Sequence, residues 1–186
     1  MNARKTVFAS TLMFAMSPVM AQTGTHSNPT NPSSMVEMYA ADYKVSLTEA
    51  ARRMQKTDEV SRIQSRARER FPSTFSDLVI ENTPRYRIVV RFTRDAVQSL
   101  ATLTSDPEYV AATALYTERE RDATQAALSE QLDASGIDFF SLSNPGGNSI
   151  KVYTREPEKL AAVLATNKGL KVPIDVQKIP ATQATP

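Results

Sequence analysis

Apolar and polar residues alternate from Tyr86 to Thr93. Tyr86, Ile88, Val90 and Phe92 share one face of an extended segment, and Arg87 and Arg91 share the other. This alternation predicts a half-buried strand whose apolar face needs a cover. From Arg94 to Ala101 the spacing turns helical, with Thr93 in position to cap and Asp95 in the first turn, where the helix dipole favours a carboxylate. Sixty-one positions later (153 − 92) the junction recurs: Tyr153-Thr154-Arg155-Glu156 matches Phe92-Thr93-Arg94-Asp95, and Leu160, Val163 and Leu164 follow at helical spacing. The recurrence predicts an internal duplication.

The rest of the chain supplies partners for these two junctions. Ser46-Leu47-Thr48-Glu49 has the spacing of a capping box, and Leu47, Ala50, Ala51 and Met54 continue at helical spacing. Val60, Ile63 and Ala67 carry the pattern to Phe71-Pro72, so 47–70 reads as one bent helix or as two, with Thr57-Asp58 as a second start. Leu78 to Glu81 reads as a strand and Asn82-Thr83-Pro84 as the turn of an antiparallel hairpin. Helix 94–101 stops before Ser105-Asp106-Pro107, and Tyr109 to Tyr116 reads as a further strand. Thr117-Glu118-Arg119-Glu120 is a second capping box, opening an alanine-rich helix that ends at Gly136, a residue suited to a left-handed cap. Strands at Ile137–Leu142 and Ser149–Thr154 flank the turn 144–148, and a helix follows from Glu156 to Thr166. Finally Val172, Ile174 and Val176 alternate with Pro173, Asp175 and Gln177, and the proline, which has no amide to donate, places this last strand at a sheet edge.

The expected fold is therefore α+β, with two tandem helix-strand-strand-helix-strand modules at 35–108 and 109–179. Counting Tyr109–Tyr116 with the second half gives that half the ferredoxin-like order βαββαβ, with its fourth strand at an edge.

Composition adds a compartment. Arg4 and Lys5 precede the mostly apolar run Val7–Met20, and Ala21 closes a short-residue cleavage site, the zones of a secretory signal peptide spanning 1–21. The run is interrupted by Ser10, Thr11, Ser17 and Pro18, unlike a membrane anchor, and no later stretch is apolar enough to span a bilayer. The expected product is exported, periplasmic or secreted. Removing the two leader cations brings the formal charge of +2 to about zero, which argues against nucleic acid as a partner. The remaining 165 residues (186 − 21) suffice for one core, burying roughly 70% of the unfolded surface. Gln22–Ser34 and the tail 180–186 have no apolar periodicity and read as flexible.

Little in the sequence points to catalysis. There is no cysteine, and the single histidine, His26, lies in the polar leader. Asn144-Pro145-Gly146-Gly147-Asn148 joins two strands, whereas a phosphate loop joins a strand to a helix and carries a lysine. No calcium-loop spacing and no nucleophile elbow occurs, and the carboxylates of Glu118, Glu120 and Asp122 fit the acidic first turn of a helix. The expectation is a non-enzymatic chain without cofactor. Charge is uneven: basic residues dominate 44–70, while 94–138 holds three arginines against nine carboxylates, so the halves are able to attract each other or one partner.

The passages Ala41–Met54, Phe71–Glu81 and Tyr86–Thr93 resemble the exported modules that precede bacterial trypsin-like peptidases, the pro-regions of the α-lytic protease and streptogrisin group. The resemblance covers about 38–178. Where such modules commonly carry a tryptophan and a histidine on the first hairpin strand, this chain has Val79 and Asn82. Residues 1–186 hold no peptidase domain, so the resemblance leads to the expectation of a stand-alone module binding a protein partner, a secreted serine peptidase that it folds or inhibits. The expected contact is the last strand and tail, Val172, Ile174, Val176, Lys178, Ile179 and Pro180: an edge strand offers unpaired amides and carbonyls, and in the resembling pro-regions this end leads into the protease. The alternative is an envelope protein docking on anionic surface polymer through the basic helical region.

Overall fold

The alternation at 86–93 does what it predicts: Ile88, Val90 and Phe92 are wholly buried. A computed structural model describes residues 32–143, 148–167 and 169–179. In it, α1 (Pro32–Tyr43), α2 (Leu47–Gln55) and α3 (Thr57–Arg70) lead into β1 (Phe75–Glu81), β2 (Arg87–Phe92), α4 (Ala96–Ala101) and β3 (Tyr109–Thr113). Next come α5 (Glu118–Ala134), β4 (Phe139–Ser143), β5 (Ile150–Thr154), α6 (Pro157–Thr166) and β6 (Ile174–Lys178). The fold is α+β, with two three-stranded sheets in the orders β1-β2-β3 and β4-β5-β6. In each, an antiparallel hairpin is followed by a helix and a third strand parallel to the second.

Each sheet has its own core. Val60, Ile63 and Ala67 of α3 and Leu100 of α4 join Ile88, Val90 and Phe92, so both helices cover one face of the first sheet. Phe71 and Phe75 meet Phe92 edge-on, with centroids 5.5 and 5.9 Å away, an arrangement aromatic quadrupoles favour. In the second module Leu128 and Leu132 of α5 and Leu160 of α6 close on Ile150, Val152 and Val172.

The helical stretch 47–70 is two helices with Lys56 between them. Ser46 accepts from the Glu49 amide at 3.1 Å, but the Glu49 carboxylate turns to Arg52 and Arg53 instead of reaching back, so only half of that capping box forms. At Thr117 both halves form, and Gly136 takes the left-handed conformation (φ +62°) after α5. The sequence pattern did not mark α1.

Three expectations are corrected. First, Thr93 does not cap α4: the N-cap is Asp95, held left-handed (φ 52°) without a side-chain cap bond, because the chain must turn sharply from β2 onto the sheet face. Second, β3 pairs with β2, Ile88 beside Tyr109 through Phe92 beside Thr113. A strand that returns through one short helix lands beside the strand it left. The division between 108 and 109 therefore cuts through the first sheet, and the ferredoxin-like βαββαβ option for the second half does not form, since that sheet has three strands.

Third, the repeat is offset. The Ile88 amide donates to the Glu108 carbonyl and the Ile150 amide to the Pro173 carbonyl, both at 2.8 Å, which aligns the strands with a shift of 62 (150 − 88). The N-caps Asp95 and Glu156 differ by 61 (156 − 95). The second strand-to-helix connection is thus one residue shorter, and Thr154 takes the place of Phe92. Thr154 is fully buried, donating to the Asp138 carbonyl at 2.9 Å. Tyr153 instead lies on the opposite face beside Phe140, which is 61% exposed. The expected signal peptide 1–21, the leader through residue 31, turn residues 144–147 and tail 180–186 lie outside the described residues, while residues 32–34, expected to belong to the flexible leader, begin α1 instead.

Candidate functional site

The last strand was singled out for its edge, and the ladder shows which of its backbone groups are free. Val172 is 1% exposed and anchors the chain in the second core ahead of β6. Pro173 precedes the strand and contributes its carbonyl to the Ile150 amide, so its missing N–H leaves no ladder bond unmade. At the far end the Ile179 amide donates to the Thr154 carbonyl at 2.9 Å. A parallel ladder uses alternate residues, so 173, 175, 177 and 179 turn their backbone groups toward β5. The N–H and C=O groups of Ile174, Val176 and Lys178 consequently point outward.

Side chains follow the same parity. Ile174 and Val176 pack half-buried against the second core on the α6 side, with Val163 and Leu164 half-buried beside them. Lys178 is exposed on that side. Asp175 and Gln177 face the other way, joined by a Gln177 Nε2 to Asp175 Oδ1 hydrogen bond of 2.7 Å. Of the six expected contact residues, then, Val172 is a core residue, unfit for direct contact. Ile174, Val176 and Lys178 form the edge, Ile179 closes the ladder, and Pro180 lies outside the described residues.

Not every edge is equally available. At β1, Arg121 of α5 donates to the Ser76 carbonyl and, at 2.6 Å, to Ser76 Oγ, so a buried guanidinium occupies the irregularity in that strand. The same guanidinium lies 3.5 Å from Asp77, whose other oxygen accepts from Arg91 at 2.9 Å. By contrast, the backbone of β6 lies closest to β5 and α6.

The basic helices have an internal use. Arg52 pairs with Glu49 and Glu108, both at 2.8 Å, Lys56 with Asp106 and Glu108, and Arg68 makes a two-pronged pair with Glu118. Of the two uses that the uneven charge allowed, the structure shows attraction between the halves. Hydrogen bonds from Arg52 and then Arg53 hold the Glu49 carboxyl down to about 2. The Arg53 guanidinium stacks 4.6 Å from the Tyr86 ring centroid, and burial pushes the Tyr86 hydroxyl up to about 12. This cluster of Arg53, Tyr86 and Tyr109, which the sequence reading missed, holds three buried polar atoms, Arg53 Nη1 and the two hydroxyls, that make no hydrogen bond of ordinary geometry among the described residues. Only the ring-and-arginine composition of 52–56, 86 and 109 hinted at it, and those residues lie too far apart in sequence to be read as one group.

No group of three or more Asp, Glu, His or Cys side chains is placed to hold a metal ion among the described residues. No helix there is long and apolar enough to cross a membrane. In comparisons with known proteins, no family model and no curated protein matches the chain.

Proposed function

We propose that the chain is an exported, non-enzymatic protein-binding module that takes a strand of its partner onto the outer edge of β6, the partner being a secreted serine peptidase that it helps to fold or inhibits. The observation that carries this reading is the phase of the β6 ladder. Ile174, Val176 and Lys178 present free backbone donors and acceptors while Ile174 and Val176 leave apolar surface half covered. A strand laid along that edge gains main-chain hydrogen bonds and completes the apolar strip, the mode of recognition known as strand addition. The peptidase assignment rests on the resemblance to pro-regions of the α-lytic protease and streptogrisin group. The alternative, docking on anionic polymer through 44–70, loses support because Arg52, Arg53, Lys56 and Arg68 are engaged with carboxylates of the same chain.

Two proline substitutions test the edge. Lys178→Pro removes an outward N–H and leaves the β5–β6 ladder whole, whereas Gln177→Pro removes a ladder bond. With a panel of purified trypsin-like bacterial peptidases of that group, Lys178→Pro weakens binding at least about tenfold, or 1.4 kcal/mol, without lowering Tm. Gln177→Pro lowers Tm. Truncation after Ile179, which spares its bond to Thr154, measures the tail separately. No binding to any member of the panel, or equal binding by Lys178→Pro, overturns the reading.

A further inference from the structure

The edge of the first sheet is built like that of the second and differs in chemistry. Ile88 N–H to the Glu108 carbonyl (2.8 Å) and Ala114 N–H to the Phe92 carbonyl (2.9 Å) fix the same ladder phase. Residues 108, 110, 112 and 114 thus face β2, and Tyr109, Ala111 and Thr113 send their N–H and C=O groups outward. The backbone of β3 lies closest to β2 and α4, and α3 reaches its Tyr109 through the core on the same face. Soluble proteins usually blunt such an edge with charge or proline. β1 carries Asp77 and Glu81 and receives Arg121, and β6 carries Asp175 and Lys178. β3, Tyr-Val-Ala-Ala-Thr, carries neither charge nor proline, its Val110 is 37% exposed, and Leu115 just beyond it is 64% exposed.

We propose that the occupant of this edge is a second copy of the chain, paired β3 to β3 antiparallel about a two-fold axis at Ala111. The free edge is complementary to itself in that register. Tyr109 faces Thr113 of the other copy and Ala111 faces Ala111, and because all three present outward groups, each facing pair exchanges both of its hydrogen bonds. The smallest side chain of the outward set sits on the axis. No like charges meet along the strand, and Val110 lies over Ala112 of the other copy on the face away from the α3 and α4 core. The two sheets become one of six strands, with an isologous contact that closes at two copies. This contact uses none of the β6 residues, so its failure leaves the peptidase reading untouched.

Sedimentation of the full chain between about 1 and 200 µM tests it, the range in which a small edge contact associates. The expected result is a mass that doubles with concentration. Ala111→Pro, which removes an outward N–H and no β2–β3 bond, and Val110→Lys, which sets two ammonium groups diagonally across the axis, both stay monomeric with Tm preserved. The chain has no cysteine, so single thiols report the register. A mixture of Val110→Cys and Ala112→Cys chains forms an intermolecular disulfide well ahead of either variant alone, since that facing pair is the close, non-hydrogen-bonded kind. A wild-type chain monomeric throughout the range, or a dimer that survives both Ala111→Pro and Val110→Lys, overturns the proposal. So does crosslinking that is no faster in the mixture.

Discussion

Arg121 is the buried charge that ties α5 to the first sheet. Its side chain, from the second turn of α5, is 6% exposed and reaches the first sheet, donating to Ser76 Oγ at 2.6 Å, to the Ser76 carbonyl and to the Tyr116 carbonyl at 3.3 Å. It also lies 3.5 Å from the 9%-exposed Asp77 side chain. Arg121→Ala leaves the Ser76 hydroxyl and carbonyl buried without this donor. Asp77 keeps Arg91 at 2.9 Å, so its charge is not stranded. Breaking a buried pair from one side costs about 3–5 kcal/mol, and the surviving Arg91 contact places Arg121→Ala at the lower end, about 3 kcal/mol. For a chain of this size that is roughly 6–12 °C in Tm. Because Leu128 and Leu132 hold α5 to the second core and not to the first, the loss should also separate one thermal transition into two. Calorimetry of wild type, Arg121→Ala, Asp77→Ala and the double variant gives the coupling directly, and about 1–3 kcal/mol is expected. A cost for Arg121→Ala below about 1 kcal/mol would refute the account of a buried, multiply bonded guanidinium joining the modules.

Other substitutions probe separate parts of the argument. Phe92→Ala, at a fully buried site, costs about 3–5 kcal/mol, whereas Tyr153→Ala, on the other face of its sheet, costs about 1 kcal/mol or less; urea titrations giving equal costs would contradict the one-residue offset of the repeat. Gly136→Ala costs about 1–2 kcal/mol by chemical denaturation, all of it from the backbone, because an added Cβ meets nothing within 4 Å. Thr117→Ala, which removes the capping box of α5, costs about 1 kcal/mol in the same assay. Glu49 has a folded value of about 2 against 4.5 when unperturbed, so its contribution is fully present above about pH 4.5 and is lost as pH falls toward 2. Glu49→Gln should therefore lower stability at pH 7 and flatten the acid limb in that window, an effect kept small because the side chain is about a third exposed.

The sequence alone determined the elements whose cause is local. Alternation at 86–92, the capping box at Thr117, the left-handed glycine at 136 and the recurrence of strand then helix each depend on neighbours within a few positions, and each is present in the fold. β6 does lie at an edge, but Pro173 is tolerated there for another reason: it precedes the strand with its carbonyl turned to β5, where its missing amide leaves no ladder bond unmade. What the tertiary structure decided was which strand lies beside which, because pairing depends on where a crossover lands and not on the residues of the strand itself. Tyr109–Thr113 has the same alternation whichever sheet it joins, and only its return through α4 sets it beside β2. The one-residue offset was hidden likewise: aromatic, threonine, arginine and carboxylate recur in order, yet a side-chain period of two sends a residue shifted by one to the opposite face, so Thr154 and not Tyr153 lies in the core. Charge patterning showed that 44–70 and 94–138 are opposite in sign. That Arg52, Lys56 and Arg68 meet Glu108, Asp106 and Glu118 across about fifty positions follows from packing that brings distant carboxylates within hydrogen-bond reach.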